Sequence, residues 1–245
     1  RQDAEGSIWL STVGEGICRL KEDRFNCYNK SNGLNDDNVN SLFTDREGTL
    51  WVGTVGGLNC FKDGIFTTFS THDGLSHDVV RTLTEKSAGA TAKGSTELHK
   101  EMWIGTFGGG VNLLRDGRAQ AWTARTGLSS DIIYTLLEDR STGDNAGALW
   151  IGTSGGGVSR WKDGHCTAYT TAEGLSGDFV SSLMEDRTGA ESGAGGGAIW
   201  VGTLGGGVSC LKDGKFTSLT TKNGLSHNLV RALLEDRDEI GRAHV

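Results

Sequence analysis

Five turns of one pattern carry the side chains of this sequence that are best placed to bind something. The turns read GLNDD, GLSHD, GLSSD, GLSGD and GLSHN, and they end at Asp37, Asp78, Asp131, Asp178 and Asn228. A ring of such oxygens could hold a cation or a polar ligand, so these five residues are the candidate ligand-binding set. The alternative is that each side chain accepts hydrogen bonds from its own turn. Recurrence in every copy favours that structural interpretation, because binding sites usually break symmetry.

The remaining residues that could do chemistry are scattered. His77 and His227 hold the same place in two of the turns. No Ser, His and Asp stand in a nucleophile arrangement, and no pair of carboxylates stands out as general acid and base. The five cysteines lack CxxC spacing, so we expect neither a disulfide framework nor a zinc site. The sequence predicts a chain that is not an enzyme and that uses no metal and no cofactor.

The composition is that of a globular protein, because 36% of the 245 residues are hydrophobic and 22% are charged. The formal net charge of -7 argues against a nucleic-acid partner, since phosphate binding needs clustered Lys and Arg. No stretch approaches the ~20 apolar residues of a membrane span. The sequence has 39 glycines and no proline, so glycine must supply the tight turns.

One unit repeats five times along the chain, and a tryptophan marks each copy (Trp9, Trp51, Trp103, Trp150 and Trp200). From each tryptophan to the Leu of the following VxxL segment the distance is 32 or 33 residues. From that Leu to the next tryptophan the distance varies from 9 to 20 residues. A unit of constant length therefore alternates with one loop of variable length.

Each copy reads as four short strands. In the second copy these are 39–45, 50–54, 57–62 and 65–70, and Asp63-Gly64 gives a strong hairpin signal before the last of them. The first copy has KEDRF at that hairpin, without the glycine, and we expect it to turn less tightly. Four antiparallel strands repeating every ~40 to 50 residues are typical of β-propeller blades. A parallel β-helix is the alternative, but its coils repeat over shorter distances.

The sequence thus predicts an all-β fold, a β-propeller of about five four-stranded antiparallel blades. The repeats form one domain, 1–237, with blade units near residues 6–45, 48–85, 102–139, 149–186 and 199–236, and with the tryptophans buried between blades. We expect the first unit to lack its first strand and the last strand, 229–236, to have no blade of its own. If the chain closes on itself, that strand completes the first blade. Residues 238–245 fit no repeat and resemble one reading frame of a sequencing adapter, so we expect a non-native tail.

Antiparallel strand order sorts the loops onto two faces. The variable loops 86–101, 141–148 and 188–198 share one face, and their Gly, Ala, Ser and Thr content indicates mobile extensions. The opposite face carries the GT-x-GGG loops and the GLSxD turns. We expect the glycines there to adopt positive φ where adjacent blades crowd. A phosphate-binding loop is the alternative, but it requires a following helix, and a strand follows.

The motifs WIGT, KDG, FTxxTT and GLSxDxV occur together and in order from Gly6 to Arg237. In this combination the sequence resembles the two-component regulator propeller repeat, whereas WD40 and kelch repeats have different signatures. The resemblance implies a large, usually seven-bladed propeller on the periplasmic side of a membrane sensor, of which this chain would be an open arc. It also implies an output module outside this chain, such as a histidine kinase or a diguanylate cyclase.

The resemblance further implies a periplasmic, extracytoplasmic region that senses a small ligand, for example an oligosaccharide. We expect a dimer in the full-length protein, with the membrane reached only through segments downstream of this chain. The face with the GGG loops and the GLSxD turns is the expected binding surface, because its loops are short and fixed by the blades. The alternative function is that of a propeller-fold carbohydrate-active lyase or hydrolase.

Overall fold

The structure is a computed structural model and describes residues 1–3, 5–12, 14–87, 101–141, 144–186 and 197–235. Within these ranges the fold is all-β, with single turns of 3-10 helix and no α-helix. The chain forms two compact units, residues 1–86 with 94–122 and residues 87–93 with 123–245. Most of the variable loops 86–101 and 188–198, and the whole of the predicted tail 238–245, lie outside the described residues.

The first unit contains three antiparallel sheets, in which each strand pairs with its neighbours in sequence. The first sheet has three strands: β1 (Ile8–Ser11), β2 (Ile17–Lys21) and β3 (Arg24–Tyr28). The second has four: β4 (Val39–Thr44), β5 (Leu50–Thr54), β6 (Leu58–Lys62) and β7 (Ile65–Phe69). The third also has four: β8 (Val80–Glu85), β9 (Glu101–Thr106), β10 (Val111–Arg115) and β11 (Arg118–Trp122).

The second unit contains two four-stranded antiparallel sheets. They consist of β12 (Ile133–Glu138), β13 (Leu149–Thr153), β14 (Val158–Lys162) and β15 (His165–Tyr169), and of β16 (Val180–Glu185), β17 (Ile199–Thr203), β18 (Gly207–Lys212) and β19 (Lys215–Leu219). The predicted four-stranded antiparallel units are confirmed, and so is the first sheet's lack of one strand.

Two details of the strand assignment differ from the sequence expectation. The four strands read from the sequence for the second copy coincide with the sheet β4 to β7, but the unit bounds 48–85 run one strand later, because β8 pairs with β9. The segment predicted as the last strand, 229–236, is not a strand in its described part, and Leu229 forms only an isolated bridge with Leu204. In the four-stranded sheets the first strand pairs with the second strand of the same sheet. Residues 229–235 have no such partner, because no second strand follows them in the described chain.

The last two strands of each sheet are joined by a two-residue turn. At Asp63-Gly64 both residues have positive φ, 52° and 81°, as a type I′ hairpin requires. The expectation of a looser turn in the first copy is wrong. Glu22 and Asp23 also have positive φ, 50° and 59°, and Lys21 pairs directly with Arg24. The right-handed twist of the two strands favours a type I′ turn. This preference outweighs the energetic cost of positive φ at two residues that are not glycine.

The apolar core lies between consecutive sheets of each unit, which confirms the predicted place of Trp9, Trp51 and Trp150, whereas Trp200 is only half-buried. Trp9 of β1 packs with Leu50 and Val52 of β5, and Trp51 packs with Ile104 of β9. In the second unit Trp150 packs with residues of β16 and β17. Each of these indoles donates from Nε1 to an Asp carboxylate six to eleven residues earlier, at 2.9 to 3.0 Å. At these three positions the buried indole N–H therefore has a hydrogen-bond acceptor.

The expectation of no disulfide is also wrong. Cys18 of β2 and Cys27 of β3 are directly paired across the hairpin and are joined by a disulfide. The pairing follows from the tight turn, because a two-residue loop at 22–23 places residue 18 opposite residue 27. Cys166 and Cys210 are free thiols.

Candidate ligand-binding face

Each GLSxD turn is closed by its last polar side chain. A single turn of 3-10 helix follows the outer strand, and the turn's Asp accepts from the backbone N–H seven residues before it. Thr71 N donates to Asp78 Oδ1 at 2.7 Å, and Thr171 N donates to Asp178 Oδ1 at 2.8 Å. The same bond recurs at Asp37, Asp131 and Asn228. The five predicted site residues thus stabilise their own turns, and ligand binding by them stays a prediction.

In four of the five turns the residue before the cap makes a second local bond, and the exception is Gly177, which has no side chain. His77 Nδ1 accepts from Val79 N at 3.0 Å, and His227 Nδ1 accepts from Leu229 N at 2.9 Å. Asp36 and Ser130 occupy this place in other turns and accept from the corresponding N–H. The two histidines therefore replace a short polar cap, and their Nδ1 atoms are unprotonated in this arrangement.

A buried polar layer ties each turn to the sheet that it enters. Asn59 and Asn112 lie on third strands and are fully buried. Asn59 Oδ1 accepts from Asn35 N at 3.1 Å, and Asn112 Oδ1 accepts from Ser76 N at 3.0 Å. Ser159 and Ser209 occupy the equivalent places in the second unit. The sequence analysis missed this layer, although a polar residue after the first apolar residue of each third strand was a signal for it.

The glycine loops and the GLSxD turns pack directly against each other. A Cβ atom on Gly109 would lie 2.8 Å from Cβ of His77, and one on Gly206 would lie 2.1 Å from the carbonyl oxygen of Ser176. The last glycines of the loops have positive φ, for example 72° at Gly110 and 88° at Gly207. The glycines are therefore required for close approach and for turning, as predicted, and a strand follows each loop.

In each unit, apolar side chains are exposed beside the GT dipeptides or the turn caps. Val55, Phe107 and Leu204 follow the GT dipeptides of three sheets and are 41%, 41% and 38% exposed. Phe179 and Leu229 follow the caps of two turns and are 51% and 41% exposed. Backbone bonds hold these positions in place, since Leu204 N donates to Phe179 O at 2.9 Å.

The thiols of Cys166 and Cys210 are the next reactive groups of the described chain. Burial raises the pKa of the Cys166 thiol. Burial and the nearby Asp186 carboxylate raise the pKa of the Cys210 thiol, so both thiols are protonated and poorly nucleophilic at neutral pH. Among the described residues no three His, Cys, Asp or Glu side chains lie close enough to hold a metal ion. In the same ranges no helix has the length and apolar character of a membrane span.

The fold is similar to that of several solved bacterial proteins. The extracellular domain of the hybrid two component system BT3049 from B. thetaiotaomicron matches with a TM-score of 0.77 at 21% identity, over 97% of this chain and 31% of that one. The corresponding domain of BT4673 from B. thetaiotaomicron matches with a TM-score of 0.68 at 19% identity, over 90% of this chain and 30% of that one. PorZ, a surface component of the type-IX secretion system of Porphyromonas gingivalis, matches with a TM-score of 0.60 at 15% identity, over 93% and 34%.

This chain therefore spans about a third of the length of these structures, and the likeness shows the fold, a β-propeller. Comparison of the sequence with those of curated proteins gives no match. Residues 33–56, which include the first GLSxD-type turn and the strand with Trp51, match the family model of the two-component regulator propeller. The resemblance drawn from the sequence is thus confirmed at residues 33–56, and the rest of the chain is similar to these solved structures in fold alone.

Proposed function

We propose that this chain is the ligand-sensing part of an extracytoplasmic two-component sensor and that it catalyses no reaction itself. The observation that carries the proposal is the joint match of the repeat at 33–56 and of the whole fold, because the structures with the two highest TM-scores above are extracellular domains of two-component systems. The output module, a histidine kinase or a diguanylate cyclase, lies outside this chain in this proposal.

The Cys18–Cys27 disulfide supports an extracytoplasmic, periplasmic location. Disulfides persist in oxidising compartments such as the bacterial periplasm and are rare in the cytosol, where thiols are kept reduced. The two cysteines are directly paired on adjacent strands, so the bond forms without any change of the hairpin.

The site geometry supports binding rather than catalysis. The recurrent carboxylates are occupied within their turns, and Asp78 and Asp178 use both oxygens there. The buried asparagine and serine layer fixes the turns, which lowers the ordering cost of binding a small ligand such as an oligosaccharide. Direct ligand contact by Asp37, Asp78, Asp131, Asp178 and Asn228 remains part of the proposal, and the charge-removing variants below test it.

A bound ligand changes the output only if it binds two arrangements of the sensor with different affinity. In this proposal the two arrangements belong to a dimer of the full-length protein, which spans the membrane through its downstream segments. A rigid binding face suits this mechanism. The ligand's affinity then differs between the two arrangements of the dimer because the subunits move relative to each other, and the binding face itself need not unfold.

The test uses the complete gene, expressed with its output module in membranes. A panel of neutral and acidic di- to hexasaccharides is added, and phosphorylation or cyclase activity is measured. We expect one class of oligosaccharide to change the activity, and no member of the panel to be consumed by the purified propeller chain. A sensor with no response to any saccharide in the panel overturns the proposal.

Two variants distinguish the sensor from the alternative, a carbohydrate-active enzyme. Asp78→Asn and Asp131→Asn remove a charge but keep the turn, because Asn228 already makes the same bond to Thr221 N at 2.8 Å. Saccharide turnover by the isolated chain that is abolished by either variant contradicts the sensor proposal and favours a lyase or hydrolase. Weaker binding without any turnover supports direct contact of these carboxylates with the ligand.

A further inference from the structure

The first and fourth sheets carry the same two cations on the strand that precedes the last hairpin. Arg19 of β2 and Arg160 of β14 are each directly paired with the tryptophan of the neighbouring strand. Two residues later each strand ends at a lysine, Lys21 or Lys162. Residues two apart on a strand lie on the same face of the sheet, so each arginine and lysine can act together. The other three sheets have Cys or Leu in place of the arginine.

In the first sheet these two cations hold a carboxylate. Glu5 Oε2 lies 3.0 Å from Arg19 Nη2 and 2.8 Å from Lys21 Nζ. Arg19 Nη2 also lies 3.4 Å from Asp3 Oδ2, and Arg19 Nε donates to Ser7 Oγ at 3.0 Å. The hydrogen bond and charge of Lys21, followed by those of Arg19, lower the pKa of the Glu5 carboxyl. The arrangement therefore favours an ionised carboxylate between the guanidinium and the ammonium.

In the fourth sheet the same two cations form no ion pair within the described part of the chain. Arg160 Nη2 donates to the backbone oxygen of Asp144 at 3.2 Å, and Lys162 Nζ donates to the same oxygen. Ala148 stands where the first sheet has Ser7, two residues before the tryptophan. Arg160 Nε is buried and has no acceptor among the described residues. Two positive charges thus converge on one neutral carbonyl group.

This arrangement leaves binding capacity for an anion. A buried donor without an acceptor is rare in folded proteins and indicates a missing ligand or water. The Nη2 group has two hydrogens and the ammonium has three, so both cations have donors left beyond those that bind Asp144. Arg160 and Lys162 are half-buried and Asp144 is exposed, so a small molecule can reach this end of the sheet.

We infer that Arg160 and Lys162 form a binding site for the carboxylate of a small acid, which takes the place that Glu5 has in the first sheet. The carboxylate accepts from Arg160 Nε and Nη2 with its two oxygens, as the planar guanidinium favours, and from Lys162 Nζ. Inorganic oxyanions such as sulfate share this chemistry, and the test distinguishes the two sources.

The site is separate from the candidate ligand-binding face. It lies beside the Asp163-Gly164 hairpin, whereas the glycine loop 154–157 and the turn contacts lie at the other end of β14. The inference therefore does not depend on the proposed sensor function, and either can fail without the other.

The experiment measures binding to the intact chain by calorimetry at low ionic strength, where charge interactions are least screened. Glutarate has the carboxylate and the stem of a glutamate side chain, its diamide glutaramide has the same stem without charge, and sulfate is an inorganic oxyanion. We expect one glutarate to bind per chain, at least tenfold more tightly than glutaramide and more tightly than sulfate. Added salt should weaken the binding.

The variants take one cation away at a time. Arg160→Leu copies Leu113, the equivalent residue of the third sheet, and should weaken glutarate binding at least tenfold. Lys162→Gln should weaken it at least threefold, because the ammonium is one of the two charges. Lys62→Gln is the matched control, since Lys62 is the exposed lysine at the same position of the second sheet. It should leave glutarate binding unchanged.

Several results would overturn the inference. These are the absence of glutarate binding, binding of glutaramide as tight as that of glutarate, and binding that is insensitive to Arg160→Leu. An equal loss in Lys62→Gln would show diffuse attraction to surface lysines and overturn it as well. Tighter binding of sulfate assigns the site to an inorganic oxyanion and overturns the carboxylate. If Arg160→Leu fails to fold, Lys162→Gln and the ratio of the glutarate and glutaramide affinities still decide.

Discussion

The three-stranded first sheet and the four-stranded second sheet use different chemistry at equivalent positions. Cys18 and Cys27 are joined by a disulfide, where Asn59 and Thr68 share a hydrogen bond of 3.2 Å in the second sheet. Asn59 also accepts a hydrogen bond from the backbone of Asn35, in the turn that leads into β4. The first sheet has no strand equivalent to β4. The second sheet thus uses this position to bind a turn, and the first sheet uses it for a covalent cross-link between two strands.

A second difference concerns one residue of β1 and its equivalent in β5, the strand that carries the WxGT motif. Ser11 of β1 is exposed, whereas the equivalent Gly53 of β5 has no room for a side chain. A Cβ atom on Gly53 would lie 2.3 Å from Oγ of Ser41 in β4 and 2.6 Å from Cγ1 of Val80 in β8. The glycine in the WxGT motif is thus required by the first strand of its own sheet and by the valine of the next sheet.

The largest effect is expected from Asn59→Ala. The variant removes the acceptor of Asn35 N and the donor to Asn35 Oδ1, and both bonds are buried or partly buried. Leaving such groups unpaired is expected to lower the free energy of unfolding by about 2–4 kcal/mol. Urea denaturation measures it, and Asn26→Ala, at an exposed position of β3, serves as the control with an expected change within about 0.5 kcal/mol.

A double variant sharpens the same comparison. Asn59→Cys with Thr68→Cys introduces the cysteine pair of the first sheet into the second at directly paired positions. The backbone N–H of Asn35 then has no acceptor, so we expect the variant to remain less stable than the wild type even when oxidised. Stability equal to or above that of the wild type would contradict the role assigned to the polar layer.

The next effect is expected from Gly152→Ala in the fourth sheet. The new methyl group would lie 2.5 Å from Cγ2 of Thr135 and 2.6 Å from Cγ1 of Val180, so the sheets must move apart. Overpacking of this kind costs about 1–3 kcal/mol of unfolding free energy, measurable in denaturant melts. The matched change in the first sheet, Ser11→Ala, is expected to change the stability by less than about 0.5 kcal/mol. Equal effects of the two variants would remove the distinction between the sheets.

The sequence predicted the strands well, because each strand has a local signal. The Asp-Gly hairpins, the Trp spacing and the alternating strands all depend on neighbouring residues, and the four-stranded sheets follow from them. The disulfide and the tight first turn were missed together, for one reason. Residue 18 faces residue 27 only if the turn is centred at 22–23, and without a glycine there the register was not apparent.

The contacts beside the turns were predictable only in part. Strand order alone placed the GLSxD turn and the GGG loop at the same end of each sheet, and the contacts of Gly109 with His77 and of Gly206 with Ser176 confirm this. The roles of Asn59, and of Gly53 against Val80, depend on contacts between residues 24 and 27 positions apart in the sequence, and these need the folded structure.

A pH-dependent difference is expected at Asp3 in the first sheet. Burial acts to raise its pKa, but hydrogen bonds from Trp9 and Ser7, the Arg19 guanidinium and the Glu5 N–H outweigh burial and lower it from the usual 3.8. A carboxyl whose pKa is lowered on folding stabilises the protein above that value, and the contribution is lost as the pH falls through the lower, folded pKa. Asp3→Asn should therefore lower the melting temperature at neutral pH, and the difference from wild type should shrink with acidification below about pH 4.

The control for Asp3 is Glu15→Gln, at an exposed position in the loop between β1 and β2. It should change the melting temperature little at any pH. A difference between wild type and Asp3→Asn that grows with acidification would show that the carboxylate does not stabilise the first sheet. The equivalent bond in the second sheet, from Trp51 Nε1 to Asp45 Oδ2 at 2.9 Å, makes Asp45→Asn the parallel experiment.

The smallest effect is expected at the turn caps, and it separates the cap's shape from its charge. Asp78→Ala removes the acceptor of Thr71 N and should cost about 1 kcal/mol of unfolding free energy. Asp78→Asn should cost less than about 0.5 kcal/mol, because Asn228 makes the same bond in the last described turn. A loss as large for Asn as for Ala, in the same denaturant melts, would mean that the charge stabilises the turn. The recurrent Asp would then be needed for stability alone, and no selection for ligand binding would be required to explain it.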